Sequence, residues 1–294
     1  MKRKILAILV LVLLLATQAE SSDTNITYIP MVIRADEVRL GTAIAYNHMD
    51  EPEYVSVVTT YYDQITPENE GKYWFVSAYG WGAMDAIVEF ANENGIQVNY
   101  HTLMWTYPAV QPPDETAWIT EAMTRYPSIH DWQVWNEHDP SVPGIETAYT
   151  TARRVRPDAA LWYNGILTGV AEQEQVKDLI AAGLVDAVGI QMHSSLETDL
   201  SVYVEFLSWL RDNGIRWQVT EADVSIPDTS PASLAAQASM YADMLALVRE
   251  YGGETFGTWG FIDFASWLEY SYPLPWASDY TPKPAWFVLN GSEE

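Results

Sequence analysis

The sequence predicts an α/β fold, a closed (β/α)8 barrel, and three observations carry that expectation. Short strand-like runs recur eight times, at 39–45, 64–66, 97–105, 132–135, 161–163, 187–192, 217–220 and 255–260. Between them lie stretches with apolar positions three and four residues apart, as in helices that bury one face. Polar and amphipathic residues gather at or just beyond the strand ends: Asn47 and His48, Glu68 and Asn69, His101, Asn136 and Glu137, Asn164, Gln191 and His193, Glu221 and Asp223, and Trp259. Strands alternating with helices over about 260 residues suit a parallel barrel, whose site lies at the carboxyl ends of its strands. A doubly wound open sheet is the alternative, yet no Gly-rich phosphate loop follows any strand.

At the start of the chain, Lys2, Arg3 and Lys4 precede an unbroken apolar run of twelve residues, 5–16, and then Thr17, Gln18 and Ala19. A basic stretch, a short apolar stretch and small residues predict a secretory signal peptide at 1–19. A membrane span needs about 20 apolar residues, more than this run offers. An uncleaved anchor is the alternative; a lipoprotein anchor is excluded because no Cys follows. The mature protein is therefore expected to be secreted, extracellular and free of the membrane. Residues 20–36 read as a linker or a strand laid on the body. Residues 37–294 contain no flexible linker, charge block or repeat, so they are expected to form one catalytic-size domain.

Three helices are clearest. The stretch 81–94 places Met84, Ile87, Val88 and Ala91 on one face and is closed by Gly95; 200–213 is closed by Gly214 and 233–251 by Gly252. Glycine just past the last turn is the usual helix stop.

Composition narrows the function. The formal charge is −25, and loss of residues 1–19 removes Lys2, Arg3 and Lys4 with no acid, giving −28. Such a body repels nucleic acid and anionic membranes and suits a neutral polymer or sugar. The chain has no Cys, so its core alone must hold it. At this size a single domain buries roughly three quarters of its extended-chain surface.

Two glutamates then stand out. Glu137 closes the run Trp132-Gln133-Val134-Trp135-Asn136, and Glu221 closes Trp217-Gln218-Val219-Thr220, about 85 residues later. On the fourth and seventh strands of a small barrel they face each other across the mouth. A glycosidase needs such a pair, one proton donor and one nucleophile or base. Asp223, two residues past Glu221, points to the same side of an extended strand, and His193 from the sixth strand is expected to lie between those two carboxylates and fix both. A metal site is the other reading of His, Asp and Glu together, but no His-x-His or His-Glu-x-x-His spacing occurs. Of 13 Trp and 18 Tyr, most are expected in the core. Trp105, Trp259 and Trp267, just past strand ends, are expected to line the mouth, where apolar sugar faces stack on rings.

The ordered motifs resemble one family. Glu68-Asn69-Glu70-Gly71-Lys72, His101-Thr102-Leu103-Met104-Trp105, Trp135-Asn136-Glu137, Gln191-Met192-His193, Thr220-Glu221-Ala222-Asp223, Thr258-Trp259-Gly260 with Ser266-Trp267, and Tyr280-Thr281-Pro282-Lys283-Pro284-Ala285 are similar to endo-β-1,4-xylanases of glycoside hydrolase family 10. The resemblance implies a TIM barrel that cleaves a β-1,4-linked polysaccharide, xylan foremost, by retaining double displacement, with no metal and no cofactor. It implies Glu137 as acid/base and Glu221 as nucleophile, with His193 and Asp223 orienting Glu221. It implies Asn136 on the sugar 2-hydroxyl, and Glu68, Asn69, Lys72, His101, Trp105, Gln191, Trp259 and Trp267 along the non-reducing (glycone) side. A monomer is expected.

Departures accompany the resemblance. Thr106-Tyr107-Pro108 stands where the family usually has His-x-Gln, and Gly71-Lys72-Tyr73 where it has Met-Lys-Trp. His138 replaces a small residue after the catalytic pair. Asn164-Gly165-Ile166 replaces Asn-Asp-Tyr, which removes an acid and an aromatic from the leaving-group (aglycone) side. The segment from Glu137 to Glu221 is short for the family. Two further readings remain: a barrel glycosidase acting on another β-glycan, and a sugar-binding relative without useful activity.

Overall fold

The computed structural model describes residues 38–106 and 110–292. The expected leader at 1–19, the linker at 20–36, and Tyr107 and Pro108 lie outside them. Nine parallel strands form the sheet: β1 (Arg39–Ile44), β2 (Gln64–Pro67), β3 (Gln97–Tyr100), β4 (Met104–Trp105), β5 (Asp131–Asn136), β6 (Ala160–Gly165), β7 (Ala187–Ser195), β8 (Arg216–Ser225) and β9 (Thr255–Thr258). Their order, β3-β2-β1-β9-β8-β7-β6-β5-β4, is closed by a β3–β5 pairing. Strands β3 and β4 both pair with β5 and act as two pieces of one stave. The result is a (β/α)8 barrel. The expected third strand, 97–105, is broken at residues 101–103, and His101 sits in the gap.

The helices lie between the strands: α1 (Pro52–Tyr61), α2 (Tyr73–Tyr79), α3 (Gly82–Asn94), α4 (Glu115–Arg125), α5 (Ile145–Val155), α6 (Val170–Ala181), α7 (Val204–Asp212), α8 (Pro231–Tyr251) and α9 (Pro284–Asn290). The buried face of α3 is Met84, Ile87, Val88 and Ala91, and Gly95 ends it in the left-handed region. Gly252 ends α8 in the same way. The expected helix 200–213 is a 3-10 turn followed by α7, with left-handed Gly214 beyond. Helix α2 is apolar along nearly its whole length, with Tyr73 and Val76 packed against the core, and was not expected.

The top of the barrel is shaped by one irregularity. Pairing of β7 with β8 runs Ile190↔Val219 and then Gln191↔Glu221, so Thr220 is an extra residue in β8. Consecutive residues on a regular strand point to opposite faces. A bulge changes that alternation. Here Thr220 Oγ1 and the Glu221 carboxylate both reach Asn164, across β7 on β6. Beyond the bulge the register is Gln191↔Glu221 and His193↔Asp223, which puts four polar side chains on one patch. Strand β8 also continues four residues past Glu221, farther than the apolar run suggested.

Strand β9 makes room for this bulge through Gly257, where an added Cβ would stand 2.9 Å from the Val219 carbonyl oxygen and 3.0 Å from that of Thr220. Both neighbours are backbone, which cannot rotate away. Gly257→Ala is expected to lose about 1–3 kcal/mol of stability and to lower Tm by several degrees in a thermal melt. An unchanged Tm would mean that β8 and β9 separate freely at this point.

Candidate active site

Strands β5 and β8 present the two glutamates. Glu137 follows the last residue of β5 and has φ 50°, a left-handed backbone that side chains other than glycine rarely adopt. Two contacts hold it there: its N–H donates to the Asn164 carbonyl at 2.9 Å, and Thr106 Oγ1 donates to its carbonyl at 3.2 Å. Strain of this kind persists where surrounding structure over-determines it, commonly at functional sites. The Glu137 carboxylate accepts from Trp105 Nε1 at 3.2 Å and from Gln191 Nε2 at 2.9 Å.

Glu221 is 4% exposed. One of its oxygens, Oε1, accepts from Asn164 Nδ2 at 2.7 Å and Gln191 Nε2 at 3.3 Å, and His193 Nε2 lies 3.2 Å from the other. His193 Nδ1 lies 2.7 Å from Asp223 Oδ2, which also accepts from Trp267 Nε1 at 3.0 Å. The histidine therefore bridges the two carboxylates as the strand spacing suggested. Burial disfavours its charge, but hydrogen bonds to Asp223 and Glu221 outweigh that and raise its pKa to about 10. At neutral pH His193 is a cation, and both ring nitrogens donate.

Asn136 and Gln191 lie deeper, each nearly inaccessible. Asn136 Oδ1 accepts from Asn164 Nδ2 at 2.7 Å and Gln191 Nε2 at 3.0 Å. Among the described residues its Nδ2 has no hydrogen-bond partner. His101 is 1% exposed, bonded through Nδ1 to Gln133 Oε1 at 2.6 Å, and edge-on to Trp259. Burial, with Lys72 nearby, keeps its pKa well below the usual histidine value, so it is neutral.

Of the remaining expected residues, Lys72, Asn69, Trp105 and Trp259 are grouped together, and Trp267 stands apart beside His193. Lys72 Nζ donates to Asn69 Oδ1 at 3.2 Å and stands 4.4 Å above the Trp105 ring and 5.8 Å from that of Trp259. Burial lowers its pKa, while the nearby Glu221, Glu68, Glu137 and Glu70 oppose that shift. Glu68 is shifted upward by burial, against the pull of Lys72. Trp105 is half-buried, Trp259 nearly buried, and Trp267 exposed at the rim beside His193.

Sequence reasoning missed the residue that joins the site. Asn164 Nδ2 donates to both Asn136 and Glu221, and its Oδ1 accepts from Thr220. Its place at the end of β6 was the available signal. Gln133 and Thr106 were also missed as partners. Of the departures, His138 is buried, with Nδ1 2.9 Å from Gln175 Oε1 and Nε2 2.8 Å from the Val142 carbonyl. Gly165 is buried where Glu172 from α6 reaches in, and a Cβ there would collide with the Glu172 carboxylate.

Comparison with known proteins bears on this arrangement. The family description "Glycosyl hydrolase family 10" matches residues 29–140 and 143–291. A beta-1,4-xylanase of Dictyoglomus thermophilum is 28% identical, over 96% of this chain and 97% of that protein. Endo-1,4-beta-xylanase A of Thermotoga maritima is 26% identical over 88% of this chain, which spans only 30% of that longer protein. Among solved structures, native xylanase 10B from Thermotoga maritima superposes with a TM-score of 0.79 at 23% identity, covering 87% of this chain and 95% of that one.

The bridging histidine sets a pH dependence. Its folded pKa, about 10, lies above the ordinary value near 6.5, so the folded state binds more protons than the unfolded state between them. The stability it contributes is whole below about pH 6.5 and is lost as pH rises through about 10. Urea unfolding from pH 6 to 10 should therefore show the gap between the protein and His193→Asn narrowing as pH rises. Parallel curves would mean that His193 is neutral.

Proposed function

Because the chain belongs to glycosyl hydrolase family 10, we propose that it is a secreted, monomeric endo-β-1,4-xylanase that cleaves xylan or xylo-oligosaccharides with retention of configuration. One observation carries the retaining mechanism. Gln191 Nε2 stands 2.9 Å from Glu137 Oε1 and 3.3 Å from Glu221 Oε1. Those lengths laid end to end are the most that can separate the two oxygens. They fall short of the ~6.5 Å at which inverting spacing begins.

In this reading Glu221 attacks the anomeric carbon while Glu137 gives its proton to the departing glycosidic oxygen. A covalent glycosyl-enzyme forms and the leaving sugar diffuses away. Glu137 then takes a proton from water, which attacks the same carbon and releases Glu221. The fixed donors Asn164 and Gln191 and the His193 cation hold the Glu221 side chain in one rotamer, which lowers the entropy cost of attack. Asp223 fixes His193, and the free Nδ2 of Asn136 takes the 2-hydroxyl of the sugar under attack. Glu68, Asn69, Lys72, His101, Gln191, Trp105, Trp259 and Trp267 line the glycone side. The aglycone side is thin: Ile166 is about half exposed and Gly165 offers no side chain.

A reducing-sugar assay on xylan, mixed β-glucan and mannan tests the reading. Release from xylan above the other two is expected, with turnover lost by several orders of magnitude in Glu221→Gln. Activity within tenfold of the parent in Glu221→Gln would overturn the mechanism, and a preference for β-glucan would overturn the substrate.

Glu137 has a separate signature. Glu137→Ala should slow xylan cleavage far more than cleavage of an aryl xyloside whose leaving group needs no proton. Azide should accelerate that variant and yield a β-glycosyl azide. Equal damage to both substrates would assign Glu137 another role.

A further inference from the structure

Helix α6 holds the residue that follows Glu137 from one of its faces. Glu172 and Gln175 stand three residues apart on α6, which puts both on the same side of a helix. Gln175 Oε1 lies 2.9 Å from the His138 ring nitrogen Nδ1. Glu172, half-buried in the first turn, reaches the backbone through an intermediary. Its Oε1 accepts from the Tyr163 hydroxyl at 2.8 Å, and its Oε2 from the Leu167 N–H at 3.0 Å. The Tyr163 oxygen in turn accepts the His138 N–H at 3.3 Å.

That N–H belongs to the peptide unit joining Glu137 to His138. The carbonyl of the same unit accepts from Thr106 Oγ1 at 3.2 Å, and the unit before it is held by Asn164. Glu137 thus sits at φ 50° between two anchored peptides. A side-chain-bearing residue rarely takes that conformation, and it keeps it only while its surroundings insist. The direction of one proton decides whether the His138 bond is among those holds. A phenol has a single proton, and donating it to Glu172 leaves the lone pairs for the His138 N–H. A hydroxyl that donates also accepts more strongly. Without an acceptor on α6, the Tyr163 proton turns freely and the hold on His138 slackens.

We propose that Glu172 is a positioning residue for Glu137: through the Tyr163 hydroxyl it fixes the Glu137–His138 peptide, and so keeps the Glu137 carboxyl group aimed at the departing glycosidic oxygen. The inference rests on the acid/base role proposed above for Glu137. Attack by Glu221 does not depend on this hold, because Asn164, Gln191 and His193 fix that side chain directly. Loss of Glu172 therefore weakens proton transfer and spares nucleophilic attack.

The test compares two leaving groups in Glu172→Ala and Tyr163→Phe, each first shown by thermal melt to be folded at the assay temperature. On xylo-oligosaccharides, kcat/KM should fall about tenfold in each variant, the effect of one oriented hydrogen bond. On an aryl xyloside whose leaving group needs no proton, kcat/KM should stay within about twofold of the parent. A merely structural role would lower both alike. The double variant should be no slower on oligosaccharides than the slower single one, since both residues act in one chain of bonds. Glu172→Gln, which keeps a carbonyl oxygen for Tyr163, should retain most of the oligosaccharide activity. Should Glu172→Ala fail to fold, Tyr163→Phe carries the comparison alone. Equal loss on both substrates, undiminished oligosaccharide cleavage in the folded variants, or losses that multiply in the double variant overturn the inference. A parent protein that cleaves neither substrate overturns the proposed function instead.

Discussion

Two carboxyl groups within reach of a single amide nitrogen cannot both carry charge without a penalty, and the upper part of this barrel is organised around holding them that close. At such separations, like charges away from bulk water interact by several kcal/mol at an effective dielectric near 20. The structure answers with donors. Gln191 touches both glutamates, Asn164 and Trp105 each hold one, and the His193 cation lies between Glu221 and Asp223. Each donor stands on a different strand from its acceptor, so the site exists only when β4 to β8 are in register. The bulge at Thr220 follows from the same need, because Asn164 must be met from β8 by two consecutive residues.

The amino-acid sequence disclosed some of this and concealed the rest, for physical reasons. Strand order and the helix faces were legible because burial imposes periods of two and of three to four residues. The glutamates were legible because a carboxylate ending an apolar run has few structural uses. The pairing of His193 with Asp223 and Glu221 followed from side-chain alternation along one strand. What alternation cannot reveal is where it fails. The extra residue at Thr220, the left-handed Glu137 and the break at His101 are local departures from regular geometry, and their causes are neighbours distant in the chain. Asn164 was visible as a polar residue at a strand end, but its role depends on Asn136 and Glu221, which reach it only in the closed barrel.

Two departures from the family pattern become intelligible as one packing solution. Glu172 reaches back from α6 into the space left by Gly165, where it accepts from the Tyr163 hydroxyl at 2.8 Å and the Leu167 N–H at 3.0 Å. The Tyr163 oxygen in turn accepts the His138 N–H at 3.3 Å, immediately after Glu137. Burial shifts the Glu172 carboxyl upward. A substitution at Gly165 would thus be felt at the backbone that carries Glu137. His138 belongs to the same corner, packed edge-on to Trp135 at 4.9 Å.

The pairing of β1 with β9 joins Arg39 to Thr255 and Thr42 to Thr258. The first and last staves are therefore neighbours, although more than two hundred residues of chain separate them. During synthesis the cylinder stays open until the final stave emerges, and β1 and β8 are each left with a bare hydrogen-bonding edge. Bare edges invite pairing with other chains, and contacts this distant in sequence form slowly. A nascent chain stalled short of β9 would already carry both glutamates, yet it would be a gapped sheet with two adhesive borders, prone to aggregate before it could become an enzyme.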